Sequence, residues 1–188
     1  MEILENIRLK LGRFILTRKV SSMQRKKFYS NISIVRKIGI VWDASKIAEF
    51  SILSRFYQKM HERGINVMIL GYFPGKDLPD QYTAQRYLSI VRRNELNLLY
   101  MPVSKESKDF IAEKYDVLIN INIGKVFPLQ YILEMSQAGF KVGLYESSDK
   151  ESPCDMMMDI RPPVNIDNYL NEVIEYLEMI NAEKSKIV

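Results

Sequence analysis

The sequence predicts an α/β domain, a mostly parallel sheet of about six strands covered by helices, with a basic amphipathic helix in front of it. Three observations carry that prediction. Apolar runs of strand length recur at Ile38–Trp42, Ile65–Gly71, Asp116–Asn122, Phe140–Tyr145 and Asp155–Ile160. Between them lie segments whose apolar residues repeat at helical spacing. The charge is uneven: residues 1–37 hold ten Lys and Arg against Glu2 and Glu5, about +8, so with a total of +4 the remainder carries about −4.

Residues 2–19 put Ile3, Leu4, Ile7, Leu11, Phe14 and Ile15 on one helical face, with Lys10, Arg13 and Lys19 away from its centre. Gly12 weakens such a helix by roughly 1 kcal/mol relative to Ala. Residues 20–36 are basic and polar, with Phe28, Tyr29 and Ile34 interspersed, and read as helix continuation and then linker. The organisation that follows is a basic helical arm and linker over 1–36, a single α/β domain over 37–182 and a tail over 183–188.

Ile38–Trp42 is the first strand, and Asp43 or Ser45 is placed to cap the helix after it. That helix spans about 45–63, with Phe50, Leu53, Phe56, Tyr57 and Met60 on one side, and Gly64 stops it. Ile65–Gly71 is the second strand, joined to the first by a right-handed crossover. Pro74-Gly75 and Leu78-Pro79-Asp80 mark a loop. In the third βα unit Tyr82–Val91 is ambiguous, Leu88–Val91 being a candidate short strand, and Leu96–Tyr100 is a candidate edge strand ended before Pro102. Ser104 begins a helix through Tyr115, with Phe110, Ile111 and Tyr115 inward. Asp116–Asn122 is strand 4. Pro128 stands in the first turn of a helix that reaches Ala138, and Gly139 ends it. Phe140–Tyr145 is strand 5. Ser147–Pro153 is a polar loop, and Asp155–Ile160, with its three methionines, reads as a buried strand 6. Pro162-Pro163 turns the chain into a last helix from Ile166 to Ala182. Strands alternating with helices give a Rossmann-like or flavodoxin-like three-layer sandwich.

Composition excludes several classes. Of the residues, 47% are hydrophobic and 27% charged, ordinary for a soluble globular protein. No apolar run approaches the ~20 residues of a transmembrane helix, and the N-terminus does not read as a secretory signal. The single cysteine excludes an internal disulfide and a multi-cysteine zinc site. A cytoplasmic location is the expectation. His61, the one histidine, falls late in the helix after strand 1, away from the strand carboxyl ends, which removes histidine-based triads and histidine metal clusters. Cys154 precedes strand 6 beside Asp155, at the sheet end opposite the expected crevice, and reads as structural. No metal site and no cofactor is predicted; Asp43 with Asp159 or Glu146 would suit magnesium, but nothing in their spacing demands it.

In open α/β sheets ligands bind beyond the strand carboxyl ends, at the switch in strand order. Those ends are Asp43, Gly71-Tyr72, Asn120 and Asn122, Glu146-Ser147 and Asp159. If strands 1 and 4 adjoin, Asp43-Ala44-Ser45 faces Asn122-Ile123-Gly124-Lys125. The candidate ligand-binding residues are therefore Asp43, Ser45, Asn122, Gly124 and Lys125. Asp43 suits a ribose or an amine, Lys125 an anion, and the amides of either helix start a phosphate. The competing roles are helix caps for Asp43 and Ser45, backbone satisfaction for Asn120 and Asn122, and a solvated surface charge for Lys125. Neither G-x-G-x-x-G nor G-x-x-x-x-G-K-[ST] occurs. In the arm, Arg8, Arg13, Arg18, Lys19, Arg25, Lys26 and Lys27 are the candidate nucleic-acid contacts. An anionic membrane surface, a protein partner, or packing of the apolar face on its own domain are the alternatives.

From strand 4 onward the pattern resembles an uncharacterised bacterial family of short α/β proteins. The residues that carry the resemblance are Tyr115–Ile119, Phe127-Pro128-Leu129-Gln130-Tyr131-Ile132, Ser136–Gly143 and Asp155–Asp159, with Ile38–Asp43 and Val67–Tyr72 in support, so that it spans roughly 38–180. It implies the fold and no activity. The Pro-led helix followed by Gly139-Phe140-Lys141-Val142-Gly143 is more weakly similar to the nucleotide-sugar half of two-domain glycosyltransferases. The sequence thus reads as a non-catalytic binding or interaction protein. The alternatives are a nucleotide- or sugar-nucleotide-binding enzyme, intact or degenerate, with its site at the strand carboxyl ends, and an RNA- or ribosome-associated protein acting through the arm. Whether it is an enzyme stays open, as does whether the arm meets RNA or a protein.

Overall fold

Six strands form one sheet, all parallel, in the order β3-β2-β1-β4-β5-β6. They are β1 (Lys37–Asp43), β2 (Asn66–Phe73), β3 (Leu88–Arg92), β4 (Val117–Asn120), β5 (Phe140–Leu144) and β6 (Met156–Met158). The computed structural model describes residues 2–83, 85–145, 152–160 and 163–180. The strand order is that of the doubly wound dinucleotide-binding architecture, not the flavodoxin order. Ile38 of β1 lies between Val67 of β2 and Val117 of β4, and Asp43 lies opposite Tyr72.

Alternation along β1 feeds two cores. Ile38, Ile40 and Trp42 join the core under α2 (Phe50–Glu62) and α6 (Ile166–Met179), while Val41 joins the one under α4 (Lys105–Ala112) and α5 (Phe127–Met135). Apolar residues on both faces are what a strand buried between two helical layers requires. A four-residue helix, α3 (Asp80–Thr83), carries Tyr82, whose hydroxyl donates to Ala44 O at 3.0 Å and whose ring packs edge-on to Trp42.

The N-terminal helix α1 (Glu2–Ser21) lies on α5. The face it packs with is not the one the periodicity singles out. Leu16 is buried and Leu9 and Val20 half-buried, whereas Ile3, Leu4, Ile7, Leu11 and Phe14 are exposed. Gly12 sits at the crossing: a Cβ there would stand 2.6 Å from the Leu99 carbonyl oxygen and 3.0 Å from the Phe127 ring. The segment after it also lies on the domain. Ile32 and Val35 are buried, Phe28 N–H donates to Gly139 O at 3.1 Å, and Ile32 N–H donates to Leu177 O at 3.1 Å.

Arg25 staples this segment down. Its Nη1 donates to Ala138 O at 3.0 Å, and its Nη2 pairs with the Asp155 carboxylate, which also takes Lys27 Nζ at 3.0 Å and the Lys141 N–H at 2.9 Å. Burial works against the Asp155 charge, but these partners outweigh it and hold its pKa below the ordinary carboxylate value. Lys141 is itself buried and donates Nζ to Glu134 O at 3.0 Å. Burial, reinforced by Arg25, lowers its pKa to about 8 against the pull of Asp155.

Several elements differ from expectation. Leu96–Tyr100 is not an edge strand but a tight reversal, closed by a single antiparallel bridge from Leu96 to Pro102. Asn97 Oδ1 holds it by accepting the N–H groups of Leu99 and Met101, which a β-strand could not supply locally. β6 is three residues long and half-buried, as an edge position dictates. α5 stops at Met135 and α4 at Ala112. The expected helix end at Ala182, the 183–188 tail, Pro162 and the Glu146-Ser147 strand end lie outside the described residues.

Gly12→Ala is expected to lower stability by about 1–3 kcal/mol, read by urea unfolding, because the methyl meets backbone. Helix propensity alone predicts a gain of about 1 kcal/mol, so the sign is decisive. Lys141→Met is expected to raise stability at pH 7, less one hydrogen bond to Glu134 O. Between pH 8 and the ordinary lysine value of 10.5 the unfolded chain binds more protons than the folded one. The unsubstituted protein therefore recovers stability across that window, and the advantage of the variant shrinks. Urea midpoints of both proteins at each pH check this.

Candidate functional site

Two neighbouring strands send the chain to opposite faces here: α2, after β1, lies on one face and α5, after β4, on the other. The gap between the two departures is the crevice, and Asn122 closes its floor. Its Oδ1 accepts the Asp43 N–H at 2.6 Å, and its Nδ2 donates to Val41 O at 3.1 Å and to Asn120 Oδ1 at 2.6 Å. Asn122 is buried with both polar side-chain atoms bonded, and it clamps β1 to β4.

Asp43 is half-buried. Its Oδ1 accepts both the N–H (3.1 Å) and the hydroxyl (2.6 Å) of Ser45. This corrects the capping expectation: the carboxylate closes a turn on itself, the helix begins two residues later in a 3-10 turn (Ile47–Glu49), and Lys46 at its start provides no side-chain cap. Ser45 is exposed. Beneath this turn Trp42 Nε1 donates to Glu49 Oε2 at 3.0 Å; burial raises the pKa of Glu49, with Lys46 opposing.

Gly124 holds φ at +88°, a left-handed conformation that side-chain-bearing residues rarely adopt, and so turns the chain from β4 toward α5. Asn122, Gly124 and Lys125 come together along a small hollow of about 80 Å³ between the ends of β4 and β5 and α5. Asp43 and Ser45 are not part of its lining. Cys154 is, against the expectation that it lies at the other end of the sheet. A Cβ at Gly143 would stand 2.7 Å from its Sγ, so glycine makes room for the thiol. Burial pushes that thiol up to about 11, which leaves it protonated.

Lys125 also borders a second hollow, of about 310 Å³, on the α5 side of the same edge. Arg13, Leu9 and Glu5 of α1 form one wall, Tyr72 at the end of β2 and Arg93 just after β3 another, and Tyr100, Phe127 and Pro128 complete it. Among the described residues no carboxylate lies within 4.0 Å of Arg13 or Arg93. Burial raises the Tyr72 phenol, Arg93 opposes, and Asp43 and Tyr100 add to the rise. Tyr100 has φ of 60°, a strained conformation that the Asn97 bonds maintain. Arg93, Tyr72 and Tyr100 are absent from the sequence-derived site. Tyr72 is legible as a strand end; Arg93 and Tyr100 lie in the third βα unit, where apolar spacing does not separate strand from reversal.

The other cations of the arm do not share a face. Arg25 and Lys27 hold Asp155, Lys19 donates to Tyr131 Oη at 3.3 Å, Arg18 stacks over Phe14, and Arg8 and Lys26 are exposed. Among the described residues no three of His, Cys, Asp and Glu converge as a metal site would require, and no helix is long and apolar enough to cross a membrane.

Fold and site together define a doubly wound, all-parallel α/β protein whose switch point is clamped by one asparagine and flanked by a cationic hollow. Within that class the chain belongs to a family of unknown function (DUF6913), whose model matches residues 8–180. No curated protein matches it.

Asn122→Ala strands the Asp43 N–H at a buried junction and takes from the Val41 carbonyl one of its two bonds, leaving the Ile121 N–H at 3.3 Å. It is expected to cost about 2–3 kcal/mol in urea unfolding.

Proposed function

We propose that this protein binds a phosphorylated small molecule of the nucleotide or sugar-nucleotide class at the carboxyl edge of its sheet. It is read as a binding protein, with no reaction assigned. The observation that carries the reading is the hollow lined by Arg13, Arg93 and Lys125 with Tyr72 and Tyr100, three cations against the one carboxylate of Glu5. Guanidinium and ammonium groups recognise phosphate oxygens by charge-assisted hydrogen bonds. The phenol rings offer faces for a base or sugar and hydroxyls to orient it. The hollow, about 310 Å³, lies at the small end of the range for ligand pockets. Its place beside the β1/β4 switch point is where open α/β sheets hold ligands. The reading places the protein in the cytoplasm, where nucleotides are abundant.

Thermal unfolding and calorimetric titration with nucleoside monophosphates, sugar nucleotides and inorganic phosphate test it. A saturable stabilisation is expected, about 2.7 kcal/mol at a hundredfold excess over Kd. Arg93→Ala and Arg13→Ala replace exposed side chains, so the fold is expected to persist while affinity falls roughly tenfold or more. No stabilisation by any of these ligands, or one unchanged in both variants, overturns the reading.

A further inference from the structure

We infer that the outer face of α1 docks on an anionic lipid surface, independently of any ligand in the hollow. Ile3, Leu4, Ile7, Leu11 and Phe14 are between 49% and 76% exposed. At 3.6 residues per turn they fall within an arc of about 100°. The helix does not need them for its own packing. Leu9, Gly12, Leu16 and Val20 already seat the opposite side on the domain. Five large apolar side chains in one exposed stripe form the kind of contiguous patch that marks an interaction surface.

Charge decides what meets it. Arg8 and Lys10 flank the stripe on its two sides, and Arg18 continues its line with the guanidinium 5.1 Å from the centre of the Phe14 ring. Glu5 points away, into the wall of the hollow. Apolar side chains in the centre with long cations at the rim match the boundary between acyl chains and anionic headgroups, where Lys and Arg stems lie along the apolar layer and their charges reach phosphate. A second copy docking through the same stripe would set these cations against themselves. The stripe is carried on a convex helix surface, which a flat bilayer accommodates without a matching groove. The helix lies on such a surface and does not cross it.

The test is co-sedimentation of the full chain with vesicles of phosphatidylcholine alone or mixed with phosphatidylserine, beside sedimentation velocity without lipid. Binding to the mixed vesicles, weak binding to phosphatidylcholine alone and loss at high salt are expected. The double variant Ile7→Asp, Phe14→Asp should reduce partitioning roughly tenfold or more while keeping the thermal unfolding midpoint, because both side chains are exposed. Arg8→Gln with Lys10→Gln should weaken binding and flatten its salt dependence. Failure to bind the mixed vesicles, or binding that the apolar double variant leaves intact, overturns the inference. So does a lipid-free dimer that the same variant dissolves, which would assign the stripe to a second copy.

Discussion

The structure depends on β1 having parallel partners on both sides. A strand between β2 and β4 is buried on two faces, so Ile38, Ile40 and Trp42 must serve one core while Val41 serves the other. Because the crossovers are right-handed, the segments leaving β1 and β4 depart to opposite faces. Beyond the bond from Ile121 N–H to Val41 O the β1/β4 ladder has no further rung. Asn122 resolves this with one side chain that serves Asp43 N–H, Val41 O and Asn120 Oδ1 together. The same separation that requires the clamp leaves the crevice open above it.

The N-terminal helix shows how far periodicity reaches. The apolar stripe of residues 3–14 is real, but apolar spacing says which side chains share a face and nothing about what that face meets. The domain takes the other side, where the decisive residue is Gly12, a helix weakener by propensity and a necessity at the crossing with Leu99 and Phe127. Packing overrides propensity because a backbone approach of this closeness tolerates no side chain. Arg25 likewise looks in the sequence like one of a run of surface cations, yet its partner is Asp155, 130 residues away, and only the folded chain brings a buried carboxylate to it.

Legibility followed the strength of local signals. β1, β2, β4 and β5 are apolar runs, β1 closed by Asp43, β4 by Asn120 and β5 opened by Gly139, and their bounds in the sequence agree with the structure to within two residues. The third βα unit was harder. Leu88–Arg92 and Leu96–Tyr100 are both apolar-rich runs of five, and what separates them is a hydrogen-bonded reversal organised by Asn97, which no periodicity encodes. Arg93, just after β3, and Tyr100, in the reversal, therefore carry no local signal of a site. Asn122, Gly124 and Lys125 were found together because they follow β4 in sequence. Asp43 was found as a strand end, but its turn with Ser45 is set by a local bond that competes with the expected cap.

The cationic hollow and the apolar stripe occupy opposite sides of one helix, and this constrains how they relate. Arg13, Leu9 and Glu5 face the hollow; Ile7, Leu11 and Phe14 face outward. No side chain is shared, so a ligand in the hollow and a surface under the stripe do not compete for contacts. They do share a rigid body. A phosphate held between Arg13 on α1 and Arg93 on the sheet would add a bond across the α1–domain junction, which otherwise rests on Leu16, the Gly12 crossing and the Arg25 staple. Ligand binding of that kind favours the seated helix, whereas the stripe of five outer apolar residues is set by helical spacing alone. Any coupling between the two sites must therefore run through the seating of α1, because no side chain joins them directly.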